Sequence, residues 1–207
     1  WFLRRMSPWQ KEELRQGRDP HVRRVLEAAA LPKAPEPPKT MRFTCSVLKA
    51  EQVTAALLAE KPAIVYVPIE ELERLEATAV AVGNLGHLPI VRGLGRTLRG
   101  DFGLNIFNSR ALLFWREQGL SSATASFELR WQQVRDLNKH LPCEAIVYGR
   151  LPLMVMENCV TRCNVGCTHG AGSVLTDRTG AQFPVTCGYG CRCEIQNSRT
   201  LFLADKP

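Results

Sequence analysis

The spacing of apolar residues changes three times along this chain. In residues 1–30, Leu14, Val22, Val25 and Leu26 make a partial stripe among many charges, which predicts a helical arm. Residues 31–39 then carry Pro32, Pro35, Pro37 and Pro38, a composition that predicts an extended, semi-rigid linker over residues 31–40. From residue 43, short β-branched or aromatic runs alternate with amphipathic stretches. These runs predict strands at 43–47, 63–67, 89–91, 102–107, 123–127 and 144–148, with helices at 50–60, 70–79, 110–118 and 131–141. After Tyr148 the texture turns to Gly, Pro, Asn, Thr and Cys with little periodicity, which predicts loops.

Strands alternating with helices indicate a parallel sheet wound by crossovers. Units of roughly 20 to 25 residues without a phosphate-cradling glycine fingerprint favour a β/α barrel over a dinucleotide fold. Gly93-Leu94-Gly95 lacks the third glycine and the following helix, so it is read as a turn. Six strands are visible where eight would close a barrel. The expectation is therefore an α/β chain: a basic helical arm over 1–30, the linker over 31–40, a partial TIM-like β/α barrel over 41–150 and a Cys-rich loop tail over 151–207, with an amino-terminal half of the barrel missing.

Composition adds limits rather than identity. The 45% hydrophobic and 23% charged content is that of an ordinary globular chain and excludes wholesale disorder. No apolar run approaches the 18 or so residues needed to cross a bilayer, so no membrane partner is expected. The formal net charge of +7 favours an anionic partner such as RNA, with solvated surface charge as the plainer explanation. The chain begins at Trp1 and nothing near it has the pattern of a secretory signal, so the cytoplasm is the expected location.

Six of the eight cysteines fall in one short stretch: Cys159, Cys163, Cys167, Cys187, Cys191 and Cys193. In a reducing compartment such clustering reads as metal ligation more readily than as disulfides. Soft thiolates select zinc or an iron–sulfur cluster over magnesium or calcium. The spacings Cys159-x7-Cys167 and Cys187-x3-Cys191 do not match the paired knuckles of common zinc sites, whereas iron–sulfur ligation tolerates looser spacing; a structural zinc site is the alternative. Cys159-x3-Cys163-x3-Cys167 is one residue away from the C-x3-C-x2-C triad of radical S-adenosylmethionine enzymes, but it follows the last predicted strand rather than the first.

Further residues carry the resemblance to a family. The run from Gly149 to Cys159, Gly166-Cys167, Leu175-Thr-Asp-Arg178, Phe183-Pro-Val185, Cys187-x3-Cys191-Arg192 and Asn197-Ser198, with Leu104-Asn-Ile-Phe-Asn-Ser109 and Ser126-Phe-Glu-Leu129 upstream, resembles the collagenase-like peptidases of family U32. The resemblance covers most of residues 43–203. It implies kinship with proteins that, despite the peptidase name, hydroxylate RNA bases or ubiquinone precursors without oxygen, hold a four-iron four-sulfur cluster on four cysteines and in some cases use prephenate as oxygen donor. Carried over by position, the ligands are Cys159, Cys167, Cys187 and Cys191. Cys163 and Cys193 have no counterpart in that pattern and are possible substitutes, so which four ligate stays open.

Around the cysteines, Glu157 is a candidate general acid or base, and Arg192 a candidate to neutralise a cluster or hold an anion. His169 is a candidate auxiliary ligand or proton carrier, with a solvated loop histidine as the plainer reading. Asn105, Asn108 and Glu128 are expected near strand ends, with helix capping the favoured role for Asn108. No H-E-x-x-H or G-x-S-x-G appears, so peptide hydrolysis has no legible machinery. The expected function is oxygen-independent hydroxylation of an RNA base in ribosomal or transfer RNA. The alternatives are a collagenase-like protease or a zinc-stabilised, non-catalytic fragment.

Overall fold

The computed structural model describes residues 30–36, 40–69, 77–166, 173–187 and 192–203. The amino-terminal arm, most of the helix expected over 70–79, and Cys167, His169 and Cys191 lie outside the described residues.

The first half is mixed α/β. Strand β1 (Thr44–Ser46) leads through a 3-10 turn at Ala50–Gln52 and helix α1 (Ala55–Ala59) to β2 (Ile64–Tyr66), which pairs with β1 in parallel. The oxygen of Thr54 accepts from the amide of Leu57 and starts α1 at its N-cap. Next come β3 (Ala79–Val82), helix α2 (Leu88–Arg92), β4 (Thr97–Gly100), helix α3 (Ser109–Glu117), β5 (Ser122–Thr124), helix α4 (Trp131–Asp136) and β6 (Cys143–Glu144). Strands β3 to β6 form a parallel sheet in sequence order. Sequential parallel neighbours joined by helices are the crossover units that the alternating pattern predicts.

Two expected strands are displaced. Residues 89–91 belong to α2, where Pro89 stands in the first turn; an amide there has no acceptor within the helix, and the position suits proline's fixed φ. Over 102–107 the chain makes a 3-10 turn at Phe102–Leu104, passes through Asn105 in the left-handed region at φ 50°, and forms an isolated parallel bridge, Ile106–Ala125, just past β5. The strand itself lies earlier, at β4. A β-carbon on Gly100 would come within 2.8 Å of the Leu120 side chain and 3.0 Å of the Ala123 β-carbon, so glycine lets this strand sit close to its neighbours without moving them.

Alternation along the strands separates two faces. Leu98, Ala123, Ala125 and Cys143 join Val82, Leu88, Val91, Ile106, Leu112 and Trp115 in the apolar core beneath the helices. Arg99, Ser122 and Glu144 meet on the other face. There the Glu144 carboxylate accepts from Arg99 Nη2 at 2.8 Å, Ser122 Oγ at 3.0 Å, Tyr66 Oη at 3.0 Å and Thr44 Oγ1 at 3.3 Å. Arg99 Nε also donates to Tyr66 Oη at 3.2 Å. One carboxylate thus ties the β1–β2 pair to the four-stranded sheet through hydrogen bonds that its partial burial strengthens.

The tail is not the loop region expected from its composition. After β7 (Tyr148–Gly149), strand β8 (Pro152–Met156) leads into helix α5 (Val160–Val165), and β9 (Ser173–Thr176), β10 (Gln182–Cys187) and β11 (Cys193–Gln196) complete an antiparallel sheet in the order β8-β11-β10-β9. A last strand, β12 (Leu201–Phe202), returns to pair with β7. The β9–β10 hairpin turns on Asp177, whose carboxylate accepts from the amides of Thr179 and Ala181, with Gly180 at φ 85°. Among the described residues no helix is long and apolar enough to cross a membrane.

Candidate metal centre

The register of the tail sheet brings cysteines together. Met156 of β8, Cys193 of β11 and Cys187 of β10 lie opposite one another across three strands at one end of the sheet. The Cys187 and Cys193 sulfurs are 3.2 Å apart. Three residues past Met156, Cys159 caps α5, its sulfur accepting from the amide of Arg162 at 3.3 Å. The three sulfurs of Cys159, Cys187 and Cys193 all lie within 4.8 Å of one another.

Burial and electrostatics distinguish the three. Cys159 and Cys193 are buried and pack with Val185, Met156 and Ile195, whereas Cys187 is exposed. Hydrogen bonding with the Cys193 thiol first, then local desolvation and the Cys159 thiol, push the Cys187 pKa up to about 12. Crowded neutral thiols thus disfavour a lone thiolate. A bound cation reverses that preference, because coordinated thiols lose their protons outright. Three soft sulfur donors anchored on two strands and a helix cap fit a thiophilic metal centre and do not fit magnesium or calcium.

The structure brings together only part of the expected ligand set. Cys159 and Cys187 belong to the sulfur group, and Cys193, which has no counterpart in the family pattern, completes it with no exposed surface of its own. Cys163 is exposed, one turn further along α5, where its amide donates to the Cys159 carbonyl at 3.1 Å; it is not in the group. Cys167 and Cys191 are outside the described residues. Glu157 and Arg192 pair with each other at 3.0 Å, with side chains 78% and 63% exposed, so they form a surface ion pair beside the buried thiols.

Other motif residues serve the fold. Asn108 accepts from the amide of Ala111 and caps α3, as expected. Arg150 Nη1 donates to the carbonyls of Asn197 and Ser198, fastening the bend between β11 and β12. The polar group around Glu144 escaped the sequence reading altogether. Its members come from five strands and share no local spacing, and the only available hint was a charged residue at the end of a short strand. Beside it Asp101, which caps the 3-10 turn at Phe102–Leu104, has its pKa raised by burial, with Glu144 adding repulsion against the bond from the Phe102 amide.

No curated protein and no solved structure matches the chain. The profile described as peptidase family U32 matches residues 55–172, from α1 to beyond the first cysteines, which is more than half of the chain. With that match laid over the parallel sheet and the start of the thiol-bearing tail, the chain belongs to peptidase family U32.

Proposed function

We propose that this chain is an iron–sulfur member of its family and hydroxylates a base of ribosomal or transfer RNA without oxygen, with prephenate as a candidate oxygen donor. The observation that carries the reading is the convergence of the Cys159, Cys187 and Cys193 sulfurs. With a fourth thiol from Cys163, Cys167 or Cys191, these residues would hold a four-iron four-sulfur cluster in the cytoplasm. Such a cluster supplies electron-transfer chemistry that amino-acid side chains lack. The parallel strands are read as part of a TIM-like barrel, whose loops at the strand ends are the usual seat of chemistry. The net charge of +7 supports an RNA partner through contacts to phosphates. In this reading Arg192 exchanges its Glu157 partner for an anionic group of the substrate, and Glu157 is released as an acid or base.

A second reading has its own observation. Tetrahedral zinc at about 2.3 Å from each sulfur sets the sulfurs about 3.8 Å apart. Sulfurs that all lie within 4.8 Å suit one shared ion, whereas in a four-iron cluster each thiolate binds a different iron and stands further from the next.

The test is anaerobic purification followed by analysis for iron, acid-labile sulfide and zinc, with Cys159, Cys187 and Cys193 each changed to Ser. A brown protein with iron and sulfide in equal amounts, lost in each variant, is the expected result. A colourless protein with one zinc overturns the cluster in favour of a structural ion. Chelator-sensitive gelatin cleavage without redox-active iron replaces the hydroxylase with the collagenase-like alternative.

A further inference from the structure

Cys187 and Cys193 face each other across antiparallel strands, and their sulfurs are already 3.2 Å apart. Directly opposed residues of an antiparallel pair hold their β-carbons about 4.5 to 5.5 Å apart, close to the 3.5 to 4.5 Å of a disulfide. Closing the bond to its normal length of about 2.05 Å needs a shift of only about 1 Å, within the reach of side-chain rotation and small strand adjustments. The two thiols also differ in access. Cys187 is exposed and open to a small oxidant, while Cys193 has no exposed surface.

We propose that Cys187 and Cys193 form a reversible dithiol–disulfide pair, a redox modification site that dismantles the metal centre when oxidised. The oxidant is a low-molecular-weight disulfide of the glutathione type. The Cys187 thiolate, a minor form at neutral pH because the neighbouring thiols hold its proton, attacks one sulfur of that disulfide, breaking its S–S bond, forming a mixed disulfide and releasing one small thiol. Cys193 then attacks the Cys187 sulfur, forming the internal disulfide and releasing the second small thiol. The two protons of the protein thiols leave on the two small thiols, and two electrons pass from protein to oxidant. The link closes a loop of only a few residues, so it contributes little as a staple, and its main consequence is chemical: two of the three gathered sulfurs are no longer available to a metal.

That consequence rests on the metal-centre reading; the bond does not. Cys159 sits within 4.8 Å of both partners and is the natural competitor, but it belongs to a helix cap rather than to the opposed strand pair.

The whole chain, anaerobically purified and stripped of metal with a chelator, is exposed to oxidised glutathione, quenched by alkylation and mapped by tryptic mass spectrometry. Cleavage after Arg192 separates the partners, and fragmentation distinguishes Cys187 from Cys191, which shares its peptide. The expected product is a Cys187–Cys193 link formed before any other and removed by reductant. Cys193→Ser should stop at a glutathione adduct on Cys187. A first link from Cys187 to Cys159 or Cys163, or no internal link while circular dichroism shows the native fold, overturns the proposal. In the metal-loaded protein the link should form slower by about tenfold or more. Formation of the link at an unchanged rate in protein shown to carry metal leaves the dithiol pair standing but overturns its coupling to the centre, whereas absence of any bound metal overturns the functional reading alone.

Discussion

The parallel sheet and the cysteine tail solve the same problem of stability by different means. Twelve residues form the buried core of the first, from Val82 to Leu141, sealed by helices that lay Leu88, Val91, Leu112 and Trp115 against the strands. Among its described residues the tail buries only Cys159, Val185 and Cys193, and leaves Leu153, Met154 and Val155 of β8 exposed. A sheet with so small an apolar centre gains little from the hydrophobic effect, and two of its three buried residues are potential metal ligands. The parallel region is therefore held by packing. The tail is held by strand pairing and, on the reading above, by whatever its sulfurs bind.

That contrast can be broken at either end. The largest expected effect is on the tail: if its sulfurs hold a metal as proposed, removing that metal at concentrations about a thousand times its Kd should lower local stability there by about 4 kcal/mol. Hydrogen exchange should report the loss at amides of β10 and β11 and leave β4 and β5 unchanged; equal loss in both regions would erase the distinction. Leu112→Ala should do the converse. Leu112 has no exposed surface, and its truncation should cost about 3 kcal/mol in urea unfolding while metal content stays constant.

Glu144→Ala comes next, at about 2 kcal/mol, because it leaves Arg99, Tyr66 and Ser122 without their common acceptor. Its effect belongs to the junction of β1–β2 with the larger sheet, so tail amides should keep their protection. The smallest effect is Asp101→Asn, below about 1 kcal/mol at neutral pH, since asparagine still caps the turn. Burial raises the Asp101 pKa from its ordinary 3.8, so the folded state holds the proton more tightly than the unfolded one. This contribution is fully present below pH 3.8 and is lost as pH rises through the folded value. Urea titrations across that window should show the slope in the wild type and its loss in the variant.

Much of the architecture was legible in local pattern. The strands around residues 45, 65, 123 and 144 and the helix after Asn108 lie where β-branched runs and a capping residue indicate them. Strand β4 was missed because Thr97-Leu-Arg-Gly100 carries little β-forming character, and its place depends on how closely Gly100 packs against Leu120 and Ala123. The tail read as loop because its strands are short, β8 is exposed on both faces, and proline and cysteine interrupt the pattern. The family pattern named Cys191 and kept Cys193 only as a possible substitute, since linear spacing carries no information on which residue faces Cys187 across a sheet.

By itself, the amino-acid order determined that this chain alternates strands with helices, that its chemistry-bearing cysteines crowd into one stretch, and that their sulfur donors suit a soft metal. These follow from periodicity and side-chain chemistry, which are local. Which thiols meet, and how one carboxylate joins five strands, was decided only by tertiary structure, because strand register and the meeting of distant side chains depend on the packing of the whole fold.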